Sequence, residues 1–194
     1  MRLNLARTLP RSAANGPGER FVVWVQGCPL RCPGCWNPDT WSFAPRHLRT
    51  VGSLAREIIA TPGIEGVTFT GGEPFAQAEA LAELGGMAQA AGLSVFVFTG
   101  YELDELASPD QRRLLAVTDV LVTGRYVATR HAEGLAWRGS ANQRVYFLTR
   151  RYSAHHLAAA PPVELHIGDS GQIVVTGFPE RRLLAAIATP GRSG

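Results

Sequence analysis

The chain contains no lysine, because all nineteen of its basic residues are arginine. This absence excludes chemistry that needs a side-chain amine: Schiff-base formation, a pyridoxal-phosphate lysine and a Walker-type phosphate loop. The chain also has no run of about eighteen apolar residues, so no membrane-spanning segment is predicted. Residues 1–20 lack the apolar stretch of a secretory signal, so we expect no signal peptide.

Cysteine is scarce and acidic and basic residues nearly balance. The 194 residues fit one domain, and the net charge of +3, with no basic stripe among aromatic residues, predicts no nucleic-acid partner. Only three cysteines are present, all within eight residues. Such crowding argues against disulfides and favours a reducing cytoplasmic location.

The three cysteines form a spaced triplet, Cys28, Cys32 and Cys35, in a loop rich in proline and glycine. Three thiolates at this spacing suit an iron–sulfur cluster in which one iron has no protein ligand. Gly34 allows the backbone to approach the cluster closely and offer an N–H group to a sulfide. A structural zinc site with His47 as the fourth ligand is the alternative, although zinc sites usually use two close pairs of ligands.

Apolar periodicity predicts strands that alternate with helices. The expected strands cover residues 21–26, 66–70, 93–98 and 119–122, and the main helices cover 53–60 and 77–91, with Ser53 as an N-cap. Residues up to 20 are rich in turn signals, and short helices are expected at 103–107 and 110–117. This alternation predicts an α/β fold with a parallel sheet.

Each of the first four predicted strands ends in a motif that contains glycine or cysteine. Parallel sheets and barrels place their active sites at the carboxyl ends of the strands, so we expect the four motifs to converge. Further strands are predicted at 144–148, 163–167 and 172–175, with a turn at 168–171 and a helix at 180–188. We therefore divide the chain into a core domain, 1–151, and a C-terminal extension, 152–194, packed on it.

The cysteine triplet resembles the signature of the radical S-adenosylmethionine (SAM) superfamily. Gly71-Gly72-Glu73-Pro74 resembles that superfamily's Gly-Gly-Glu segment, which holds the methionine amino group of the cofactor. The resemblance implies a partial (β/α)6-type radical SAM barrel with a short C-terminal β-hairpin and helix extension. It also implies a [4Fe-4S] cluster on three cysteines, S-adenosyl-L-methionine as cofactor, and reductive cleavage of that cofactor to a 5′-deoxyadenosyl radical.

Five further segments make the chain similar to the activating proteins of anaerobic ribonucleoside-triphosphate reductase. They are 15–18 (Asn-Gly-Pro-Gly), 32–41, 99–106, 119–126 and 137–143 (Trp-Arg-Gly-Ser-Ala-Asn-Gln). The resemblance implies a cytoplasmic enzyme of anaerobic metabolism that installs a glycyl radical on a partner reductase. A flavodoxin- or ferredoxin-type protein would supply the electron.

The resemblance also assigns roles to individual residues. Metal ligation falls to the three cysteines, and cofactor contact is implied for Gly34, Trp36, Gly71, Gly72, Glu73, Thr99 and Arg125, with no catalytic residue beyond the cluster and cofactor. Arginine suits a cofactor carboxylate because its guanidinium is a planar fork of donors. Two departures stand out: Thr123 occupies a position where the family usually has aspartate, and the chain continues beyond residue 150, where the family's small members end.

Two other functions stay open at the level of sequence. The first is a stand-alone radical SAM enzyme that abstracts hydrogen from a peptide or small molecule. The second is an electron-transfer or structural module, although carriers normally enclose their cluster with four protein ligands. Trp137 belongs either to a loop that faces the partner or to the core.

Overall fold

A computed structural model describes residues 1–132, 134–159, 163–168 and 173–178. Over these residues the chain folds around a seven-stranded sheet, with a separate two-stranded sheet near its C-terminal end. The strands are β1 (Arg2–Ser12), β2 (Arg20–Val25), β3 (His47–Thr50), β4 (Gly66–Gly71), β5 (Ser94–Phe98), β6 (Val120–Thr123), β7 (Arg144–Phe147), β8 (Val163–Ile167) and β9 (Ile173–Gly177). The α-helices among the described residues are α1 (Val51–Ala60), α2 (Ala78–Ala90) and α3 (Pro109–Ala116).

The large sheet has the order β3-β1-β2-β4-β5-β6-β7. Its four central strands, β2, β4, β5 and β6, are mutually parallel. β1 runs antiparallel to both β2 and β3, and β7 runs antiparallel to β6. The predicted α/β class is therefore confirmed as a mixed sheet with a parallel centre.

The two faces of this sheet are covered differently. On one face, strand residues such as Val23, Phe69 and Val97 pack with α1, α2 and α3 in the main hydrophobic core. On the other face, Phe96, Val120 and Val122 pack against the loop residues Trp137 and Tyr152. Among the described residues no α-helix packs on this second face, which is covered by loops and by the 3-10 turn Ala154–Ala159.

Trp137 is a core residue. Its side chain is 2% exposed and meets the ring of Phe96 edge-on, with ring centroids 5.2 Å apart. The alternative that Trp137 faces a partner is therefore wrong for this side chain.

Two sequence-based predictions about the first fifty residues are corrected. The N-terminal stretch, expected to be mostly turns, forms β1, whose alternation is interrupted by register shifts between Leu5 and Arg7 and between Leu9 and Ser12. β3 was not predicted, and α1 begins at Val51 rather than Ser53. Thr50 caps it, because its hydroxyl accepts a hydrogen bond from the Ser53 N–H at 3.2 Å.

The remaining predicted elements match the observed ones to within two or three residues. The first predicted short helix forms a 3-10 turn, Leu103–Glu105. The predicted C-terminal hairpin is confirmed by antiparallel pairing of β8 with β9, from Val163 opposite Gly177 to Ile167 opposite Ile173. Most of the predicted turn at 168–171 and the whole predicted helix at 180–188 lie outside the described residues.

The four parallel strands end at one edge of the sheet. Gly27 and the cysteines follow β2, Gly72 follows β4, Thr99 follows β5 and Gly124 follows β6. The predicted convergence of motifs is therefore present. Within the described part of the chain, none of the helices combines the length and apolar character needed to cross a membrane.

Candidate functional site

The cysteine loop is closed at its base by hydrogen bonds between its two ends. Gly27 N–H donates to the Thr40 carbonyl at 2.8 Å, and Cys28 N–H donates to the Trp41 carbonyl at 3.2 Å. The Gln26 side-chain amide adds a bond to the Ser42 carbonyl at 2.7 Å. These contacts fix where the loop leaves and rejoins the sheet, so that the triplet is presented from a rigid base.

All three cysteines are free thiols, and Cys28 is buried while Cys32 and Cys35 are partly buried. Burial raises the pKa of the Cys28 and Cys32 thiols. A metal binds the thiolate, so metal binding at this loop must displace protons that the fold itself retains. Cluster assembly here is therefore expected to be coupled to proton release.

The Gly-Gly-Glu turn lies flush against the end of β2. Gly72 N–H donates to the Val25 carbonyl at 2.8 Å, and Glu73 N–H donates to the Gly27 carbonyl at 2.9 Å. A Cβ on Gly72 would overlap the carbonyl oxygen of Gly27, and Gly71 adopts φ +100°. Only glycine fits both positions, because any side chain would push this turn away from the cysteine loop.

Glu73 is buried, and its carboxylate accepts three hydrogen bonds. Phe75 N–H and the Thr99 hydroxyl each donate to Oε1 at 2.9 Å, and Gly100 N–H donates to Oε2 at 2.9 Å. Burial nevertheless dominates and raises the pKa of Glu73 to about 7. A cation placed beside this carboxylate would favour its ionised form.

One cavity joins these parts. It is lined by the cysteines, the glycine turn and the ends of β5 and β6, namely Cys28, Leu30, Cys32, Cys35, Trp36, Asn37, Trp41, Thr70, Gly71, Gly72, Glu73, Phe98, Thr99, Gly100, Gly124, Tyr126 and Gln143. Eight of the ten residues predicted for the site are among them. The structure therefore brings most of the sequence-predicted set together in one place.

The other two predicted residues do not line this cavity. Gly34 is exposed and adopts φ +76°, and an added Cβ would meet Ala128 at 3.2 Å and the Tyr126 ring at 3.6 Å. The Arg125 guanidinium forms a two-pronged pair with the Glu105 carboxylate at 2.9 and 3.0 Å. Arg125 would have to leave this partner before it contacted a ligand in the cavity.

Thr123 is the last residue of β6 and is fully buried. Its hydroxyl has no hydrogen-bond partner among the described residues, and it does not line the cavity. Where the resemblance leads us to expect an aspartate, this chain therefore has a buried hydroxyl that does not reach the cavity.

The zinc alternative depends on His47. This residue begins β3, where it pairs with Leu5; it is exposed and does not line the cysteine cavity. Over the described residues, no group of three or more His, Cys, Asp or Glu side chains is placed to hold a single metal ion.

Sequence reasoning did not assign a role to Gln143, which proves to be central to the site. Its Oε1 accepts from Gly139 N–H at 2.8 Å and from Ser140 N–H at 3.1 Å, while its Nε2 donates to the Gly124 carbonyl at 3.0 Å. Through Gln143, the Arg-Gly-Ser-x-Asn-Gln segment is therefore hydrogen-bonded to Gly124 at the end of β6. We call this contact the clasp. The motif itself was visible in the sequence, but its target was not.

Comparison with known proteins gives consistent matches. A family profile described as a 4Fe-4S single cluster domain matches residues 14–146. The anaerobic ribonucleoside-triphosphate reductase-activating protein of Vibrio cholerae serotype O1 is 34% identical over 156 residues, which cover 76% of this chain and 99% of the relative. The proteins of the same name from Escherichia coli K12 and Enterobacteria phage T4 are 32% and 33% identical, covering 75% and 74% of this chain and 99% and 94% of the relatives.

Proposed function

The chain belongs to the family of anaerobic ribonucleoside-triphosphate reductase-activating proteins, and on that premise we propose that it generates a glycyl radical on a partner reductase. The observation that carries the proposal is the single cavity in which three free thiols meet the Gly-Gly-Glu turn. The cysteine loop lies within the matched 4Fe-4S region.

The residues present fit a [4Fe-4S] cluster and S-adenosylmethionine. Thiolates are the protein ligands of such clusters, and the chain has three cysteines, all in this loop. The indole Nε1 of Trp36, a residue that lines the cavity, is buried and has no hydrogen-bond partner among the described residues. The buried Glu73 carboxylate suits an ammonium group.

When bound, the reduced cluster would supply one electron for the reductive cleavage of S-adenosylmethionine, and this chemistry would remove a hydrogen atom from the partner's glycine. The chain's own part is to hold and orient. Cys28, Cys32 and Cys35 hold the cluster. Trp36, Gly71, Gly72, Glu73 and Thr99 shape the cofactor site. Gly34 is assigned to the same site through its backbone, which can approach the cluster closely.

Arg125 is proposed to reach the cofactor carboxylate by exchanging partners. In the structure its charge is paired with Glu105, and it lies 5.9 Å from the centre of the Tyr101 ring. A guanidinium binds either carboxylate in the same forked geometry, so the exchange replaces one ion pair by another.

Several finer statements belong to the same proposal. They are the partial (β/α)6 barrel, the division into residues 1–151 and 152–194, a flavodoxin- or ferredoxin-type electron donor, and a cytoplasmic location. The mixed sheet with its parallel centre supports the first of these.

Anaerobic reconstitution tests the proposal. We expect the protein to bind iron and sulfide and to form 5′-deoxyadenosine from S-adenosylmethionine when reduced with dithionite. Cys35→Ser should abolish both results, since it removes one cluster ligand. With the unsubstituted reconstituted protein, a glycine-centred EPR doublet should appear on the anaerobic reductase encoded in the same genome. Failure of the reconstituted protein to cleave the cofactor would refute the proposed activity.

A further inference from the structure

A second cavity adjoins the first on the face of the sheet opposite α1, α2 and α3. It encloses about 200 Å³ and is lined by Arg7, Asn15, Trp24, Trp36, Asn37, Thr70, Phe98, Gln143, Val175, Thr176, Gly177 and Phe178. Five of these residues also line the cysteine cavity: Trp36, Asn37, Thr70, Phe98 and Gln143. A group held in the second cavity is therefore adjacent to whatever occupies the first.

The C-terminal hairpin supplies one wall of this cavity. Residues 175–178, at the end of β9 and just beyond it, belong to the lining. Phe178 meets the ring of Phe98 edge-on, with centroids 6.2 Å apart. The wall thus comes from the part of the chain that lies beyond the core domain.

Glu164 of β8 anchors the hairpin to the turn that follows β1. Its carboxylate accepts hydrogen bonds from the Ser12 hydroxyl, from Ala13 N–H at 2.9 Å and from Ala14 N–H at 3.3 Å. Burial alone would raise the pKa of Glu164, but these donors outweigh it, so the pKa lies below the usual range. The anchor is therefore ionised and fully bonded at neutral pH.

A second anchor lies on β9. Asn15, from the Asn-Gly-Pro-Gly segment, donates from Nδ2 to the Thr176 hydroxyl at 2.6 Å and to the Ser12 hydroxyl at 2.8 Å. Both strands of the hairpin are thus fastened to the same turn. A wall held at two points has a fixed distance from the sheet.

The chemistry of the lining favours a polypeptide backbone. Trp24, Trp36, Phe98 and Phe178 give it flat apolar surfaces, and no carboxylate is found among the described residues that line it. The Arg7 guanidinium lies over the Trp24 ring at 4.7 Å, donates to Asn37 Oδ1 at 2.9 Å and lies 4.0 Å from the Asp39 carboxylate, which leaves guanidinium N–H groups for a ligand. Such donors match the carbonyl oxygens of an extended chain.

We propose that the second cavity receives the glycine-containing segment of the partner as an extended chain, and that the β8–β9 hairpin is the wall that selects it. This inference rests on the proposed function. Arg7 and Asn37 bind carbonyl oxygens of the segment, and Val175 and Phe178 exclude bulky side chains beside the glycine. The hairpin is therefore a specificity element of this chain.

Photo-crosslinking tests the placement without requiring activity. p-Benzoylphenylalanine is placed at Phe178 of the metal-free protein, which is then irradiated with the anaerobic reductase encoded in the same genome. We expect crosslinks to the reductase peptide that contains the radical-bearing glycine. The same probe at Ile59, exposed on α1, should give none to that peptide. Crosslinks from Phe178 that map only to other parts of the reductase would overturn the inference.

A pair of variants tests whether the anchored hairpin is needed for glycyl-radical formation on the reductase. Glu164→Ala removes the β8 anchor, and we expect at least about a tenfold lower yield of glycyl radical on the reductase. Glu57→Ala, which removes a surface carboxylate bonded to Arg49, should keep the full yield. A full yield from Glu164→Ala would overturn the hairpin's role even if the unsubstituted protein cleaves S-adenosylmethionine. Absence of that cleavage in the unsubstituted protein would instead refute the proposed function itself.

Discussion

Replacing Glu73 by glutamine should remove a specific pH dependence from the stability of the metal-free protein. In the folded chain, burial raises the pKa of this carboxyl group from its ordinary value of 4.5 to about 7. Between these two pH values the folded state holds a proton that the unfolded chain has released. The free energy of unfolding therefore decreases as the pH rises through this window, and the loss is complete above about pH 7.

The size of the effect follows from the pKa difference. A rise from 4.5 to about 7 corresponds to about 3 kcal/mol in the free energy of unfolding, and most of this change, about 2 kcal/mol, falls between pH 5 and pH 8. Glutamine does not ionise in this range. It also leaves one of the three donors to Glu73 without an acceptor, which costs about 1–3 kcal/mol at every pH.

Urea unfolding of the metal-free protein, followed by tryptophan fluorescence in the presence of a thiol-free reductant, measures both the pH-dependent change and the pH-independent cost in the free energy of unfolding. We expect Glu73→Gln to be less stable than the unsubstituted protein at pH 5, with a deficit that shrinks by about 2 kcal/mol by pH 8. Glu79→Gln is the matched control, because Glu79 is 60% exposed on α2. Its unfolding free energy should follow that of the unsubstituted protein at each pH.

Parallel pH profiles for Glu73→Gln and the unsubstituted protein would refute this reasoning. That result would mean that the three hydrogen bonds to Glu73 offset its burial, so that the carboxylate is already ionised at neutral pH. Binding of the cofactor ammonium beside Glu73 would then not have to ionise this carboxyl group first.

Two further predictions concern the glycine turn and Arg125. Gly72→Ala should lower the free energy of unfolding by more than about 2 kcal/mol, because the added Cβ would overlap the Gly27 carbonyl. Gly86→Ala, inside α2 with open space around it, should raise that free energy by up to about 1 kcal/mol. Equal changes in urea unfolding for the two variants would contradict the close packing at Gly72. Arg125→Ala should weaken S-adenosylmethionine binding to the reconstituted protein by about tenfold or more, as measured by calorimetry. Glu105→Ala, the control, should not weaken it. Equal losses of affinity in the two variants would mean that Arg125 has only a structural role.

The local parts of the site could be predicted from sequence. Cys28, Cys32 and Cys35 lie within one loop, so their spacing alone was enough to predict a shared metal or cluster. Gly71 adopts φ +100°, a local restriction that favours glycine, whereas Gly72 is restricted by the Gly27 carbonyl, which only the fold brings close. The convergence of these motifs followed from the rule that parallel strands end at one edge of the sheet.

The edges of the fold were less predictable. β1 was missed because two register shifts disturb its alternation, and β3 was missed because four mostly exposed residues leave little apolar signal. Their pairing is decided by the sheet they join rather than by their own sequence.

Side-chain partners distant in the sequence account for the rest. The contact of Arg125 with a cofactor carboxylate stays a prediction, and its pairing with Glu105 depends on how two loops meet. Gln143 was part of a recognised segment, yet its role as a clasp on Gly124 appears only when β6 and the loop are adjacent.

The sequence by itself determined the clustering of the three cysteines in one loop, the turn signal of Gly71-Gly72-Glu73-Pro74 and the α/β frame, because each depends on residue chemistry or on periodicity within a few positions. Only the tertiary structure decided that Trp137 is buried, that Glu73 is enclosed, and that a hairpin walls a second cavity. The bond from Ser12 to Glu164 joins residues 152 positions apart. No local pattern encodes such a contact, because it exists only once the sheet has brought the two segments together.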